Sequence, residues 1–224
     1  MKKWFSYLIL CVLVPTVIIS GALLFRDKQY AWISLCVAVM SCVPFFLHFE
    51  RNETDVKRLI LIAVMVALSV IGRILFAMVP GFKPVTAMVV ITAMYFGGEA
   101  GFMTGALSAV ISNFYFGQGP WTPFQMFSWG IIGLIAGLIA SLLRRSRIAL
   151  GVYGIFSGVL FSFLMDIWTV LWADGYFNFP RYLAAIASAA SFTAVYAVSN
   201  VIFLLLFAKP IGKILDRIKV KYAL

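Results

Sequence analysis

The sequence predicts an all-α integral membrane protein, and its composition and charge pattern carry that prediction. Of the 224 residues, 63% are hydrophobic and only 12% are charged, against about 25% charged residues in a typical soluble domain. The charges lie in short clusters between apolar runs, which is the pattern of membrane helices joined by basic loops. A soluble fold would have to expose apolar surface throughout, so the composition excludes a soluble enzyme, a disordered chain and a nucleic-acid-binding domain.

Eight apolar runs follow one another along the chain, and a helix needs roughly 20 residues to cross a bilayer. The predicted spans are 4–25, 30–49, 59–79, 85–96, 100–116, 123–143, 150–172 and 182–208. The first run is longer than the 7–15-residue core of a signal peptide, so we interpret it as a retained helix. The charged stretch 48–58 divides the chain into a two-helix transmembrane hairpin, 1–50, and a six-helix membrane core with a basic tail, 51–224.

The distribution of Lys and Arg predicts the orientation. With the N-terminus assigned to the cytoplasm and the sides alternated, thirteen of these residues fall inside and four outside. Positive charge in short loops favours the cytoplasmic side, so we expect both termini and the basic tail to be cytoplasmic.

Most catalytic and metal-binding motifs are missing from the sequence. The one histidine, His48, lies at a membrane edge, and no His/Cys/Glu cluster with zinc spacing occurs. The sequence has no phosphate-binding loop and no nucleophile elbow. We therefore expect no metal, no cofactor and no ATP hydrolysis by this chain alone.

Two ionisable residues lie within predicted spans, where charge is costly and usually faces a cavity or a partner. Arg73 and Asp166 fall at similar depths below the same face, so we expect them to share an outer cavity. They either form a structural ion pair or hold polar groups of a ligand. Helical spacing places Phe76 beside Arg73 and Thr169 beside Asp166.

Three outer loops join the spans near this depth: VPGFKP (79–84), FGQGPWTP (116–123) and ADGYFNFPR (173–181). Pro and Gly punctuate all three, and aromatic residues bring rings to the mouth of the bundle. These aromatics are either an interfacial belt or part of lids that close over a ring-containing ligand. The predicted ligand site comprises eleven residues of the spans and loops: Arg73, Phe76, Lys83, Asn113, Gln118, Trp121, Gln125, Trp129, Asp166, Thr169 and Tyr176.

The segment 58–208 resembles the substrate-binding S component of energy-coupling factor (ECF) vitamin transporters. The most specific part is GFKPVTAMVVITAMYFGGEAGFMTGALSAVISNFYFGQGPWTPFQMFSWGIIGLIAG, residues 81–137, and the cobalamin-type subgroup is the most similar. The resemblance implies a six-helix core in the plasma membrane of a prokaryote, which captures a vitamin from outside. It also implies a transmembrane T subunit and two cytoplasmic ATPase subunits as partners.

The resemblance also assigns roles to particular residues. An Ala-x-x-x-Ala pattern on the first core helix, here Ala63 and Ala67, is expected to contact the T subunit. Five residues carry over as ligand-binding candidates: Arg73, Asn113, Gln118, Trp121 and Gln125. The N-terminal hairpin is the departure from the family pattern, since the core needs only six spans.

Two other functions stay open from the sequence. A small proton-coupled transporter would use Asp166 as its proton site, although the chain shows no internal repeat of the kind many such transporters have. A membrane enzyme or an assembly subunit is the third reading, and the lack of paired catalytic groups speaks against the enzyme.

Overall fold

A computed structural model describes residues 3–25, 30–49 and 55–222. Every regular element in these ranges is helical, so the predicted all-α class is confirmed. The elements are α1 (Lys3–Leu8), a π-helical turn (Ile9–Leu13), α2 (Val14–Phe25), α3 (Tyr30–Phe49), α4 (Asp55–Leu75), α5 (Val85–Phe96), α6 (Gly98–Phe116), α7 (Thr122–Leu138), α8 (Ala140–Arg145), α9 (Arg147–Asp174), α10 (Phe179–Ser188) and α11 (Ala190–Tyr222).

The chain is a multi-pass membrane protein. Within the described residues, four helical stretches are long and apolar enough to cross a bilayer, namely Trp4–Leu24, Val56–Leu75, Arg147–Asp174 and Ala190–Tyr222. Three shorter apolar helical stretches lie between them: Trp32–Pro44, Val85–Phe96 and Thr122–Leu138. The predicted division between residues 50 and 51 lies outside the described residues.

Helix α5 forms the centre of the bundle. All of its residues except Tyr95 are buried, and it packs against α4, α6, α7 and α11. Its sequence, VTAMVVITAMYF, has no polar face, and a helix that is apolar all round is a core helix. The N-terminal helices α2 and α3 pack against each other, and α3 also packs on α6 and α7.

Helices α6 and α7 approach each other closely because glycines face each other across the contact. A Cβ atom on Gly105 would lie 2.5 Å from the carbonyl oxygen of Trp129, and one on Gly101 would lie 2.9 Å from that of Gly133. In lipid, where the hydrophobic effect does not drive helices together, such small faces allow dense backbone packing. This contact fixes the position of Trp129 beside α6.

Three predicted spans differ most from the helices of the structure. The span 59–79 is α4, which begins at Asp55 and ends at Leu75, so Arg73 lies in its last turn. The span 123–143 is broken at Ile139 into α7 and α8. The span 182–208 is divided at Ala189 into α10 and the much longer α11, which continues through the basic tail to Tyr222.

Candidate functional site

A cavity of about 260 Å³ lies at the end of the bundle opposite the basic tail. The last turn of α4, the loop before α5, and α7, α9 and α11 contribute its walls. Its lining comprises Arg73, Gly81, Lys83, Gln125, Trp129, Phe161, Ser162, Met165, Asp166, Ala189, Phe192 and Tyr196. The volume lies just below the usual range for small-molecule sites, about 300–1,000 Å³.

The Arg73 guanidinium is buried and held in place from α6. Its Nη1 atom donates hydrogen bonds to Ser112 Oγ and, over 2.8 Å, to Asn113 Oδ1. The group also lies over two aromatic faces, 4.6 Å from the ring centre of Phe116 and 5.1 Å from that of Trp129. These contacts are cation–π interactions, which strengthen when the cation is removed from water. Arg73 is therefore pre-oriented at the cavity wall.

Asn113 connects Arg73 to the loop that follows α6. While its Oδ1 accepts from Arg73, its Nδ2 donates to Thr122 Oγ1 and to Gln125 Oε1, both over 2.9 Å. The Thr122 hydroxyl in turn donates to Gln118 Oε1 over 3.1 Å. Both N–H groups of the Asn113 side-chain amide and one acceptor site of its oxygen thus belong to this network, which positions the arginine.

Lys83 lies in the loop between α4 and α5, and α11 holds that loop. The backbone N–H of Lys83 donates to Ser199 Oγ over 2.9 Å, and the Ser199 hydroxyl donates back to the Lys83 carbonyl over 3.3 Å. The Lys83 ammonium lies 4.6 Å from the ring centre of Phe116. Burial lowers the pKa of Lys83, and the nearby charge of Arg73 lowers it further. Gly81 allows the turn, because its φ of 73° is rarely adopted by other residues.

Asp166 faces the same cavity from α9. It is 7% exposed, and its Oδ2 atom is buried without a hydrogen-bond partner in the described part of the chain. The two charged residues predicted to share a cavity do line the same one, but Arg73 and Asp166 form no ion pair. A buried polar atom without a partner is costly, and such atoms are often reserved for a ligand.

Aromatic rings form the wall between the two charged regions. Trp129 and Phe161 are stacked, with ring centres 4.9 Å apart and an angle of 23° between planes. Tyr196 meets Phe161 edge to face, with centres 5.3 Å apart. Flat apolar faces of this kind favour a planar ring ligand.

Five of the eleven predicted ligand residues line the cavity: Arg73, Lys83, Gln125, Trp129 and Asp166. Asn113 and Gln118 lie behind it, in the network that holds Arg73.

The other four predicted residues lie away from the cavity lining. Phe76 packs against Phe203, with ring centres 5.1 Å apart, and Trp121 meets Trp168 edge to face at 5.9 Å. Thr169 is exposed, and Tyr176 is 60% exposed in the α9–α10 loop.

Seven lining residues were not in the predicted site, and three of them are aromatic: Phe161, Phe192 and Tyr196. Phe161 and Phe192 gave no signal, because an aromatic residue in a membrane helix is usually part of the core. Ser162 and Tyr196 belong to polar stripes on their helices, which is a signal that could have found them. Ser162 shares a 2.6 Å hydrogen bond with Thr193 across α9 and α11.

Ala63 and Ala67 lie elsewhere, on the exposed face of α4. They line an apolar groove of about 410 Å³ between α4 and α6, and Cys42 of α3 reaches its edge. The groove is separate from the cavity.

Comparison with known proteins adds three findings. A family model described as "ECF-type riboflavin transporter, S component" matches residues 53–217. A UPF0397 protein of Aliivibrio salmonicida is 29% identical over 146 residues, which cover 63% of this chain and 76% of that protein. No solved structure matches the chain.

Proposed function

Because the chain belongs to the ECF-type riboflavin transporter S component family, we propose that it captures a vitamin from outside the cell in the cavity described above. Partner subunits then drive delivery to the cytoplasm. The observation that carries this proposal is the arrangement of the cavity: two cations without acidic partners, an aromatic wall, and a carboxylate with a free buried oxygen.

The lining indicates the chemistry of the ligand. Arg73 and Lys83 offer hydrogen-bond donors and positive charge, which suit carbonyl or other acceptor oxygens. Asp166 offers an acceptor, which suits a hydroxyl or N–H group. The stacked pair Trp129 and Phe161 suits a flat ring laid against the face that it turns to the cavity. A planar heteroaromatic vitamin with acceptors at one edge and hydroxyls at the other matches all three, so we propose riboflavin as the ligand.

Cobalamin is the rival ligand, because the sequence analysis predicted similarity to the cobalamin-type subgroup, whereas the family model that matches is the riboflavin one. A corrinoid is far bulkier than a three-ring flavin, and the cavity measures about 260 Å³. Binding cobalamin would require the outer loops to move apart. The volume therefore favours the smaller ligand.

We propose that a partner supplies the energy for uptake, because the sequence has no phosphate-binding loop with which to use ATP itself. Family membership implies association with a T subunit and ATPase subunits. We propose that Ala63 and Ala67 contact the T subunit, since their side chains line an exposed apolar groove into which a helix could pack closely. By family analogy the whole subunit then tilts in the bilayer and releases its ligand inside.

Calorimetry on the purified full chain tests the ligand. We expect one riboflavin per chain with tight binding, quenching of flavin fluorescence, and weaker or no binding of cobalamin and cobinamide. Trp129→Leu should weaken riboflavin binding about tenfold or more, as expected for loss of a buried aromatic contact. Trp172→Leu is the matched control, because Trp172 is 61% exposed and lies away from the cavity.

Different results would contradict the proposed ligand and the proposed capture function. Tight binding of cobalamin without riboflavin binding would overturn the choice of ligand and leave the capture function intact. Uptake at full rate by this chain without an ATPase partner, dependent on a proton gradient and lost in Asp166→Asn, would overturn the capture function and favour a proton-coupled transporter.

A further inference from the structure

A second charged cavity lies at the other end of the bundle, beside the basic tail. Its volume is about 370 Å³, and it is enclosed by α5, α8, α9 and α11. Five of its lining residues are cations: Arg144, Arg145, Arg147, Lys209 and Lys213. The two cavities share no lining residue.

Cations outnumber acidic residues in the lining of this cavity. Asp216 is the one acidic residue in the lining, and it pairs with Arg144 over 3.1 Å. Arg144 also lies 4.5 Å from the ring centre of Tyr95. Five cations and one carboxylate leave a net charge of +4 in the lining. Like charges gathered around one cavity repel each other, and a bound anion relieves that repulsion.

The rest of the lining is apolar. Met94, Leu143 and Leu150 are buried at its base, and Leu205 and Ala208 of α11 form one side. A site for a fully water-soluble anion has no need of this apolar floor. An amphipathic ligand would place its acidic group on the cations and its hydrocarbon along α11.

The start of α9 adds a further contribution. This helix is 28 residues long and begins at Arg147 beside the cavity, where Ser146 caps the N–H of Ala149 over 3.2 Å. The remaining first-turn N–H groups carry the partial positive charge of a helix N-terminus, which favours phosphate.

We propose that this cavity binds the phosphate group of an anionic phospholipid, with an acyl chain along Leu205 and Ala208. Basic pockets between membrane helices on the cytoplasmic side are known to bind such head groups. The bound lipid would partly neutralise the positive charge of the cavity and bridge the tail end of α11 to α8.

The test compares two charge-removing pairs on the same helix. Lys209→Gln with Lys213→Gln removes two cavity cations four residues apart. Arg217→Gln with Lys221→Gln removes the same charge at the same spacing from outside the cavity, and is the matched control. The full chain is purified in detergent and titrated with dioleoylphosphatidylglycerol or dioleoylphosphatidylcholine. Native mass spectrometry counts the bound lipid, and the thermal unfolding midpoint is followed in parallel.

Phosphatidylglycerol should bind one per chain and raise the unfolding midpoint, while phosphatidylcholine should do neither. The cavity pair should weaken phosphatidylglycerol binding about thirtyfold, because each of the two cations near an anionic lipid contributes about 1 kcal/mol. The control pair should change binding less than about threefold, and Lys209→Arg with Lys213→Arg should retain it. If the Gln pair does not fold, Arg145→Gln gives the same comparison with a single exposed residue.

Three results would overturn the proposal. Equal binding of the two lipids would show that the charge of the cavity does not select anionic over zwitterionic head groups. Displacement of phosphatidylglycerol by inorganic phosphate alone would identify the ligand as a soluble phosphate. Unchanged lipid binding in the cavity pair, together with lost assembly on the partner subunits, would identify the cavity as a protein contact.

Discussion

The Asn113 side chain accepts a hydrogen bond from Arg73 over 2.8 Å and donates one to Gln125 over 2.9 Å, so one amide joins α4, α6 and α7 beside the cavity. Two of these three residues line the cavity, and the third does not touch it. Asn113 is therefore a positioning residue for the Arg73 guanidinium.

Replacement of Asn113 should weaken ligand binding without preventing folding. A hydrogen bond to a charged group contributes about 1.5–3 kcal/mol, so Asn113→Ala should raise the Kd about tenfold or more in calorimetry. Thr104→Ala is the control, since Thr104 is buried on the same helix and its hydroxyl bonds only to Ala100 of its own helix. Equal Kd values for the two variants would contradict the positioning role.

The Asp166 carboxylate should lower the stability of the ligand-free protein and contribute to ligand binding. Its Oδ2 atom is buried without a partner, and such an atom costs about 1–3 kcal/mol. Asp166→Leu should therefore raise the unfolding midpoint of the ligand-free protein by several degrees, about 2–4 °C per kcal/mol for a chain of this size. The same variant should lose ligand binding. A lower midpoint in Asp166→Leu would show that the carboxylate has a stabilising partner.

The close packing of α6 and α7 should be sensitive to a larger side chain at Gly105. Gly105→Ala would force a Cβ atom to 2.5 Å from the Trp129 backbone, so the two helices must separate. We expect thermal unfolding to show a free energy of unfolding lowered by about 1–3 kcal/mol. Ligand binding should also weaken, because Trp129 is part of the aromatic wall. Gly151→Ala is the matched control, since nothing lies within 4 Å of the added atom. It should be neutral or slightly stabilising.

The groove on α4 should matter for transport and not for capture. Ala67→Leu should fill the groove and lower ATP-dependent uptake in cells that express the partner subunits at least tenfold, while the vitamin Kd stays unchanged. Ala194→Leu, an exposed alanine on α11, should leave both properties intact. Normal uptake in the Ala67→Leu strain would place the partner contact on another face.

The lowered pKa of Lys83 predicts a pH dependence of binding. Its ammonium is present below that pKa, so affinity should fall at alkaline pH, and at a lower pH than an ordinary lysine would cause. The ligand-free protein should instead gain stability over the same range, because the unfolded chain binds this proton more tightly. Lys83→Arg keeps its charge and should remove the fall in affinity. Calorimetry from neutral to alkaline pH measures the affinity. An identical fall in affinity in Lys83→Arg would assign the effect to another group.

The sequence predicted the helical class and the cavity, but not the cavity's full lining. Arg73 and Asp166 were found because charge within an apolar helix is expensive and has to face something polar. Phe161 and Phe192 were missed because an aromatic ring facing a cavity and one facing a neighbouring helix look alike in a sequence. The break at Ala189 was missed because the run of small residues before it contains no Gly or Pro to mark a helix end.

Helix α10 has no buried residue, and this has a consequence for the speed of capture. Its polar contacts with α9 include an ion pair at 2.7 Å between Arg181, whose side chain is 54% exposed, and Asp174, whose side chain is 10% exposed, and a 3.2 Å hydrogen bond from Tyr182 to the Phe163 carbonyl. Because α10 buries no side chain, we expect it to move more readily than the glycine-packed α6 and α7. Ala189 and Phe192 of the cavity wall lie just beyond it. If the cavity captures a vitamin as proposed, motion of α10 would open its entrance many times for each molecule that arrives, and diffusion would set the rate of loading.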